Sequence, residues 1–237
     1  MGRAAFFDVD NTLLDAKSMF SFQRFYLDEW LPRHGGAEGS TQSYAAFARD
    51  FEALAQRLER PMLNRLFYEG YAGHSRRGLM EAARAWFAQL LAQRGEGLWI
   101  RPALALAEEL RADGFQLVAV SGSSREILAP VMERLRFGHC LATELEAEGD
   151  RLSGRIVPPQ MIGEGKAVAL RRWADAHGIE LARCVACGDH ISDLPMLACV
   201  GRALVVAGDP ALEREAALRG WPVLRADSVT DSLGVHA

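Results

Sequence analysis

Two carboxylates near the start of the chain have a spacing that could support covalent catalysis. Asp8 and Asp10 follow an apolar segment, residues 4–7, and precede Leu13 and Leu14. An Asp carboxylate can act as a nucleophile that forms an aspartyl-phosphate, and a carboxylate two residues further can transfer protons. A turn explains the segment equally well, because Asp favours turns. A calcium loop does not, because the two leucines stand where further oxygen ligands are needed.

Further residues of the kinds that bind phosphate or metal follow later apolar segments or begin a helix. They are Ser121, Gly122, Lys166, Asp189, Ser192 and Asp193. Ser121 follows a predicted strand at 115–120, Asp189 follows another at 184–187, and Lys166 lies in the first turn of a predicted helix at 164–177. Taken singly, each has a structural explanation, such as a helix cap, a solvated face or a turn.

The elements between these residues predict an α/β fold. Strands alternate with helices from residue 99 onward, which indicates a parallel sheet with helices on both faces. Such sheets bind ligands outside the carboxyl ends of their strands. Four separate segments would therefore deliver acids, a hydroxyl and a lysine to one edge, which structural explanations taken one at a time do not account for.

The predicted architecture is a three-layer, Rossmann-like parallel sheet core with an inserted all-α domain. Residues 16–99 hold 14 of the 20 aromatic residues and have helical rather than strand-like spacing, with predicted helices at 18–31, 42–59, 61–71 and 76–94. The core then comprises residues 1–15 and 100–237, with a small hairpin at 140–157. Most of the aromatic rings are expected to form the core of the helical segment.

The converging side chains suit phosphoryl chemistry with Mg²⁺. Three carboxylates in one crevice repel one another unless a cation lies among them, and oxygen ligands on a compact site suit Mg²⁺. Ser121 and the backbone N–H of Gly122, before a helix N-terminus, form a cradle for an anion. Lys166 adds a positive charge where positioning and electrostatics dominate catalysis.

The chain resembles the haloacid dehalogenase superfamily. Four motifs carry the resemblance: Asp8-Val9-Asp10-Asn11-Thr12, Ser121-Gly122, Lys166 and Gly188-Asp189-His190-Ile191-Ser192-Asp193. The segment 193–197 and the hairpin are similar to the phosphoserine-phosphatase-like branch, whose helical cap is inserted after the first motif. Residues 16–99 occupy the place of that cap, and the resemblance covers about residues 1–15 and 100–226.

The resemblance implies roles for individual residues. Asp8 would be the nucleophile, Asp10 the acid and base, and Ser121 and Lys166 would bind the phosphate. Mg²⁺ would be held by Asp8, the Asp10 carbonyl and Asp189, with Asp193 in support. Gly122 and Ser192 are further candidates for phosphate binding.

The implied activity is hydrolysis of a small-molecule phosphate monoester. Retention of Asp10 points to phosphate esters, because the dehalogenases of the superfamily lack this acid. Phosphoserine enzymes resemble the chain but have Glu where Lys17 stands and favour Asn where Ser192 stands. Since a lysine repels an ammonium group, we predict another substrate: histidinol phosphate, a sugar or cyclitol phosphate, a nucleotide or a lipid phosphate. A phosphotransferase or mutase, and a non-catalytic phosphate-binding protein, are the alternatives.

Composition limits the partners and the compartment. The net charge of −4 disfavours a nucleic-acid partner, and no apolar run approaches the ~20 residues that span a bilayer. Four cysteines suit a reducing compartment, so a cytoplasmic protein is expected. Cys184 and Cys187 lie three apart on a predicted strand and should face opposite sides, as buried thiols. The pattern does not indicate an oligomeric state.

Overall fold

A seven-stranded, mostly parallel sheet forms the core of the protein. The computed structural model describes residues 2–35 and 42–225. Residues 1, 36–41 and 226–237 of the predicted domains lie outside these ranges. The strands are β1 (Ala4–Phe7), β2 (Gln116–Ser124), β3 (His139–Glu148), β4 (Arg151–Val157), β5 (Val185–Gly188), β6 (Arg202–Val206) and β7 (Val223–Leu224). Their order is β4-β3-β2-β1-β5-β6-β7, and β4 alone is antiparallel to its neighbour. The predicted α/β class and hairpin are confirmed.

Helices cover both faces of the sheet and fill the segment between β1 and β2. Within the insertion they are α1 (Ser18–Phe25), α2 (Leu31–His34), α3 (Tyr44–Ala55), α4 (Arg60–Glu69) and α5 (Arg76–Arg94). The core helices are α6 (Arg101–Ala112), α7 (Arg125–Leu135), α8 (Glu164–Ala176), α9 (Leu194–Leu197) and α10 (Pro210–Arg219). Across the described residues, no helix is both long and apolar enough to cross a membrane.

The structure corrects two predicted elements. The single helix expected at 18–31 is interrupted by a π-helical turn at Tyr26–Trp30, so α1 and α2 are separate. A single π turn displaces the hydrophobic pattern of a helix by only one residue. The hydrophobic spacing of the sequence therefore does not reveal it. The second strand does not end before Ser121 but continues to Ser124, with a break in its register to β3 after Ser121.

The central position of β1 explains its apolar sequence. All four of its residues are fully buried, as expected for a parallel strand that is covered on both faces. Ala4 and Phe6 pack with α8 and α10 on one face, and Ala5 and Phe7 pack with α6 on the other. β1 lies between β2 and β5, and from β1 the strands follow one another outward in both directions. The connections diverge at such a point, which opens a crevice at the carboxyl end of β1.

The two closely spaced cysteines lie on opposite faces of the sheet, as expected. Cys184 packs in the cluster with α8 and α10, whereas Cys187 packs in the cluster with α6. Both are free and buried, and burial raises the pKa of each thiol. They therefore act as core side chains.

The insertion packs directly on the core. Side chains from α1, α4 and α5 share one apolar cluster with Ile127 and Val131 of α7. Gly154 of β4 has φ of +82°, and a Cβ there would lie 3.0 Å from Ala72 and 3.1 Å from the Glu69 carbonyl. This close approach fixes the end of α4 against the hairpin, so that the other end of α4 reaches the carboxyl edge of the sheet.

Candidate active site

A buried lysine joins two carboxylates at the carboxyl ends of β1 and β5. Lys166 Nζ lies 2.5 Å from Asp8 Oδ1 and 2.7 Å from Asp193 Oδ1. All three side chains are at least nine-tenths buried. Gly188 allows this arrangement, because a Cβ there would lie 2.9 Å from Asp193 Oδ2. The strand order thus brings together residues that are 158 positions apart in sequence.

The turn after β1 places a hydroxyl between two of the carboxylates. Asn11 has φ of +58°, a left-handed conformation that Asn tolerates better than most residues. The chain then folds around the Val9 carbonyl, which accepts hydrogen bonds from the next amides. As a result, Thr12 Oγ1 lies 3.0 Å from Asp189 Oδ1 and 3.4 Å from Asp8 Oδ2. Thr12 was part of the sequence motif, but its contacts depend on this turn.

The Asp10 carboxylate is held by the start of the insertion. Ser18 N, at the N-terminus of α1, donates a hydrogen bond of 3.0 Å to Asp10 Oδ2. Among the described residues, Asp10 Oδ1 is buried with no hydrogen-bond partner, and Asp10 lines the cavity described below. Burial, and then the neighbouring Asp8, raise the pKa of Asp10 to about 7. One oxygen is therefore fixed, and the other is available for proton transfer near neutral pH.

The remaining carboxylates carry charge that the lysine does not fully balance. Burial, and then the neighbouring Asp193, raise the pKa of Asp8 against the lowering effect of the Lys166 ammonium. Burial, followed by Asp8 and Asp193, raises the pKa of Asp189 to about 8. For Lys166, burial lowers the pKa, but Asp193 and Asp8 outweigh it, so the pKa is raised and the amine stays charged.

This donor set fits a hard divalent cation. Asp8, Asp189 and Asp193 each offer an oxygen within 4.8 Å of the others. Oxygen-only ligands with uncompensated negative charge suit Mg²⁺, and a bound cation would favour the ionised carboxylates. Asp193 already bonds Lys166 through Oδ1 and accepts from His190 N at 3.3 Å through Oδ2, which suits a supporting position.

Stability of the metal-free protein should fall as the pH rises. In the unfolded chain the acids ionise near pH 4, whereas Asp10 and Asp189 in the folded chain ionise only at about 7 and 8. The folded state therefore binds more protons between these values, and its free energy of unfolding decreases with pH. In a chelator we expect a melting temperature lower by about 3 °C or more at pH ~8 than at pH ~5.5.

The control for that measurement is Asp189→Asn, which removes one of the titrating groups. Its melting temperature should depend less on pH, and Mg²⁺ should stabilise the unsubstituted protein more at the higher pH. Equal pH dependence of both proteins, with no greater Mg²⁺ effect at high pH, would contradict the raised pKa of Asp189.

A bulge in β2 forms the second side of the site. Ser121 is 1% exposed, and its Oγ accepts a hydrogen bond of 3.1 Å from Ser123 N. Ser124 Oγ caps α7 by accepting from Ile127 N, so the bulge leads directly into a helix N-terminus. Such an arrangement of hydroxyl and helix N-terminus suits an anion.

A close backbone approach fixes the position of Lys166. A Cβ on Gly165 would lie 1.6 Å from the Gln160 carbonyl oxygen, so the loop before α8 crosses its first turn directly. The same loop contacts α4, because Gln160 Nε2 donates to the Pro61 carbonyl at 2.7 Å and to Asn64 Oδ1 at 3.0 Å. This loop therefore connects the lysine to the insertion.

A cavity of about 710 Å³ lies above these groups, between the sheet edge and the insertion. Its lining includes every sequence-predicted site residue: Asp8, Asp10, Ser121, Gly122, Lys166, Asp189, Ser192 and Asp193. Its wall toward the insertion is largely apolar, with Met19, Phe20, Phe51 and Leu63. The predicted residues are thus brought together, although Ser192 lies at the rim.

Basic side chains stand at the rim of the cavity. Lys17 and Arg60 both line it and are exposed. Arg60 Nη1 lies 2.7 Å from His190 Nδ1 and 3.1 Å from Ser192 Oγ, which connects α4 to the loop after β5. Arg60 and Asn64 were not singled out from the sequence, because an aromatic-rich helix gives no signal as to which of its polar residues reach the sheet.

The sequence matches the family of haloacid dehalogenase-like hydrolases over residues 5–198. The chain belongs to this family, as its fold and its carboxylate–lysine site also indicate. A similar solved structure, that of a protein of unknown function from Bordetella pertussis Tohama I, is 26% identical. The superposition covers 95% of this chain and 99% of the Bordetella pertussis chain, with a TM-score of 0.78.

Three curated relatives extend this comparison. A probable phosphatase of Mycobacterium tuberculosis is 34% identical over 230 residues, which is 93% of this chain and 74% of the relative. A phosphoserine phosphatase of the same organism is 28% identical over 93% of this chain and 70% of its own length. A histidinol-phosphatase of Neisseria meningitidis serogroup C is 26% identical over 94% and 99%.

Proposed function

We propose that this protein is a Mg²⁺-dependent phosphatase that hydrolyses a small-molecule phosphate monoester through an aspartyl-phosphate on Asp8. The observation that carries the proposal is the buried Lys166 bonded to Asp8 Oδ1 within a carboxylate cluster at the floor of the cavity. A carboxylate that is paired with a lysine and faces a cavity can attack a phosphoryl group that the same lysine also attracts.

The coarser activity rests on family membership and on the relatives. The chain is a phosphoric monoester hydrolase. The hydrolase family covers most of its length, and three relatives whose alignments cover more than nine-tenths of the chain are named as phosphatases. The relatives named for phosphoserine and for histidinol phosphate are almost equally distant. Their names therefore do not choose the substrate of this chain.

In the proposed reaction, Asp8 attacks phosphorus and the bond to the leaving alcohol breaks. Asp10 gives its proton to the leaving oxygen through Oδ1, while Ser18 N holds Oδ2. In the second step Asp10 takes a proton from water as the water attacks the aspartyl-phosphate, releasing inorganic phosphate and restoring Asp8. A pKa of about 7 allows Asp10 to perform both transfers.

The remaining side chains bind the phosphate and the metal. Lys166, Ser121 and the backbone of Gly122 would hold the phosphoryl oxygens, with Ser192 contributing at the rim. Asp8, the Asp10 carbonyl and Asp189 would hold Mg²⁺, with Asp193 in support. When bound, Mg²⁺ supplies positive charge that offsets the repulsion between the nucleophile and the phosphate.

We also propose that residues 16–99 act as a cap over a catalytic core of residues 1–15 and 100–237. The cavity lies between the two, and its apolar wall comes from α1, α3 and α4. A leaving group would thus contact the insertion while its phosphate contacts the sheet edge. Exclusion of water by such a cap protects a reactive intermediate.

A panel of phosphate esters tests the proposed function. The protein should release phosphate from at least one ester with Mg²⁺ and not in a chelator. The panel includes histidinol phosphate, phosphoserine, sugar and cyclitol phosphates, nucleotides and lipid phosphates. An added alcohol acceptor distinguishes transfer from hydrolysis. Absence of Mg²⁺-dependent release across the panel would refute the proposal, and phosphoserine as the best substrate would refute the predicted selectivity.

Reversal of the charge at Lys17 should change selectivity rather than chemistry. The amine lies exposed at the rim, where it attracts anionic and repels cationic leaving groups. For Lys17→Glu we expect kcat/KM for an ester with a carboxylate or second phosphate to fall about fivefold relative to a neutral ester. Arg172→Glu on the exposed face of α8 changes net charge equally and serves as the control. Equal ratios in both variants would contradict a role for Lys17.

A further inference from the structure

The carbonyl oxygen of Gly122 accepts hydrogen bonds from three side chains. Thr143 Oγ1, on β3, donates at 2.8 Å. Tyr68 OH and Asn64 Nδ2, both on α4 of the insertion, donate at 3.1 and 3.3 Å. Two parts of the chain that are distant in sequence thus meet at one atom of the predicted phosphate-binding bulge.

Satisfaction of a buried carbonyl does not require this arrangement. The register break between β2 and β3 removes Gly122 from the regular ladder, so its carbonyl needs a partner. One donor would suffice, and a carbonyl oxygen has two lone pairs. Three donors from two elements instead define the direction of the carbonyl closely.

That direction determines where the neighbouring amide points. The peptide bond between Gly122 and Ser123 is planar, so fixing its C=O also fixes its N–H. This N–H lies 3.1 Å from Ser121 Oγ, the hydroxyl proposed to bind phosphate. The Gly122 Cα is confined as well, because a Cβ there would lie 3.3 Å from the Met161 carbonyl.

Tyr68 holds the carbonyl from outside the cavity. It is fully buried, and it is absent from the described residues that line the cavity, whereas Asn64 is among them. Burial raises the pKa of the phenol well above its usual value, so Tyr68 remains a neutral donor. Its influence on a substrate must therefore pass through the bulge.

We propose that Tyr68 is a positioning residue, which holds the Gly122–Ser123 peptide so that Ser121 and the neighbouring amides face the phosphoryl group. Helix α4 thereby takes part in phosphate binding without touching the phosphate. This proposal rests on the proposed function, since it assigns Ser121 and Gly122 to the phosphate.

The test compares Tyr68→Phe with Tyr71→Phe. Both tyrosines are fully buried on the same segment and both donate a hydrogen bond, but Tyr71 donates to Gln23 Oε1 rather than to Gly122. Each variant is assayed for kcat/KM with an aryl and an alkyl phosphate. Binding of orthovanadate, as a phosphoryl mimic, is measured by inhibition and by thermal shift.

For Tyr68→Phe we expect kcat/KM to fall about fivefold to tenfold for both esters, and vanadate affinity to fall by a similar factor, as loss of one buried hydrogen bond implies. Tyr71→Phe should stay within about twofold despite a similar loss of stability. Thr143→Val removes the donor on β3 to the same oxygen and should produce the same kinetic effect. It takes the place of Tyr68→Phe if that variant folds poorly.

Three outcomes would overturn the proposal. Equal effects of the two Tyr variants would make Tyr68 merely structural. A larger loss for the alkyl than for the aryl ester, with unchanged vanadate affinity, would assign Tyr68 to proton delivery with Asp10. If the unsubstituted protein hydrolyses no ester, the proposed function fails, but vanadate binding measured by thermal shift still tests the role of Tyr68. An unchanged vanadate affinity in Tyr68→Phe would then refute that role.

Discussion

Asp8→Asn should abolish Mg²⁺-dependent phosphate release, with a loss on the order of 10⁴-fold or more. The amide keeps the shape of the side chain but cannot form an aspartyl-phosphate. Because burial raises the pKa of Asp8, its ionised form is unfavourable in the folded metal-free protein, and the substitution removes that cost. We therefore expect the metal-free variant to be at least as stable as the unsubstituted protein at pH ~8, with a smaller stabilisation by Mg²⁺. Ester hydrolysis and melting temperature with and without Mg²⁺ measure both effects.

The matched control is Asp175→Asn on the exposed side of α8, which should leave both properties unchanged. Rapid quenching of the unsubstituted protein with substrate, followed by mass spectrometry, should place one added phosphoryl group on the peptide that contains Asp8. Retention of a few per cent of the activity in Asp8→Asn, or a phosphoryl group on another residue, would refute Asp8 as the nucleophile.

Lys166→Met should lower kcat/KM on the order of 10³-fold and destabilise the metal-free protein by roughly 3 kcal/mol. The lysine is 4% exposed and bonds both Asp8 and Asp193, so its loss leaves two buried carboxylates facing each other. Since Mg²⁺ can replace part of this charge, it should raise the melting temperature of the variant more than that of the unsubstituted protein. Thermal unfolding in chelator and in Mg²⁺, together with ester hydrolysis, measures the effect.

Arg172→Met, which removes an exposed cation from the same helix, should change neither activity nor the Mg²⁺ effect. Lys166→Arg separates charge from shape, because a guanidinium keeps the charge but is larger than an ammonium. It should retain more stability than Lys166→Met and little of the activity. If Lys166→Met were as active as the control, the lysine would have no role in binding the phosphoryl group.

The structure brings together the site residues that the sequence pattern singled out. Asp8, Ser121 and Asp189 lie at the carboxyl edge because β2, β1 and β5 are adjacent and parallel. Polar residues that directly follow buried strands must reach this edge in any such sheet. The prediction therefore needed only the alternation of strands and helices, which hydrophobic periodicity gives.

Contacts between the insertion and the core could not be predicted in this way. Helical spacing correctly indicated α3, α4 and α5, but α1 ends at a π-helical turn that the pattern did not resolve. Asn64 and Tyr68 lie among apolar and aromatic neighbours, and nothing local distinguishes a residue that reaches Gly122 from one that packs in the helical core. Their contacts depend on how α4 lies against β4, which Gly154 permits.

The sequence by itself determined the α/β core, the insertion of helices after the first strand, and the set of carboxylates, hydroxyl and lysine at one edge. These features follow from local periodicity and from the short distance between each strand and its polar residue. Only the tertiary structure decided that Lys166 bonds both Asp8 and Asp193, that Ser18 holds one oxygen of Asp10, and that Tyr68 reaches Gly122. Such pairings join residues far apart in the chain, and packing of complete elements selects them.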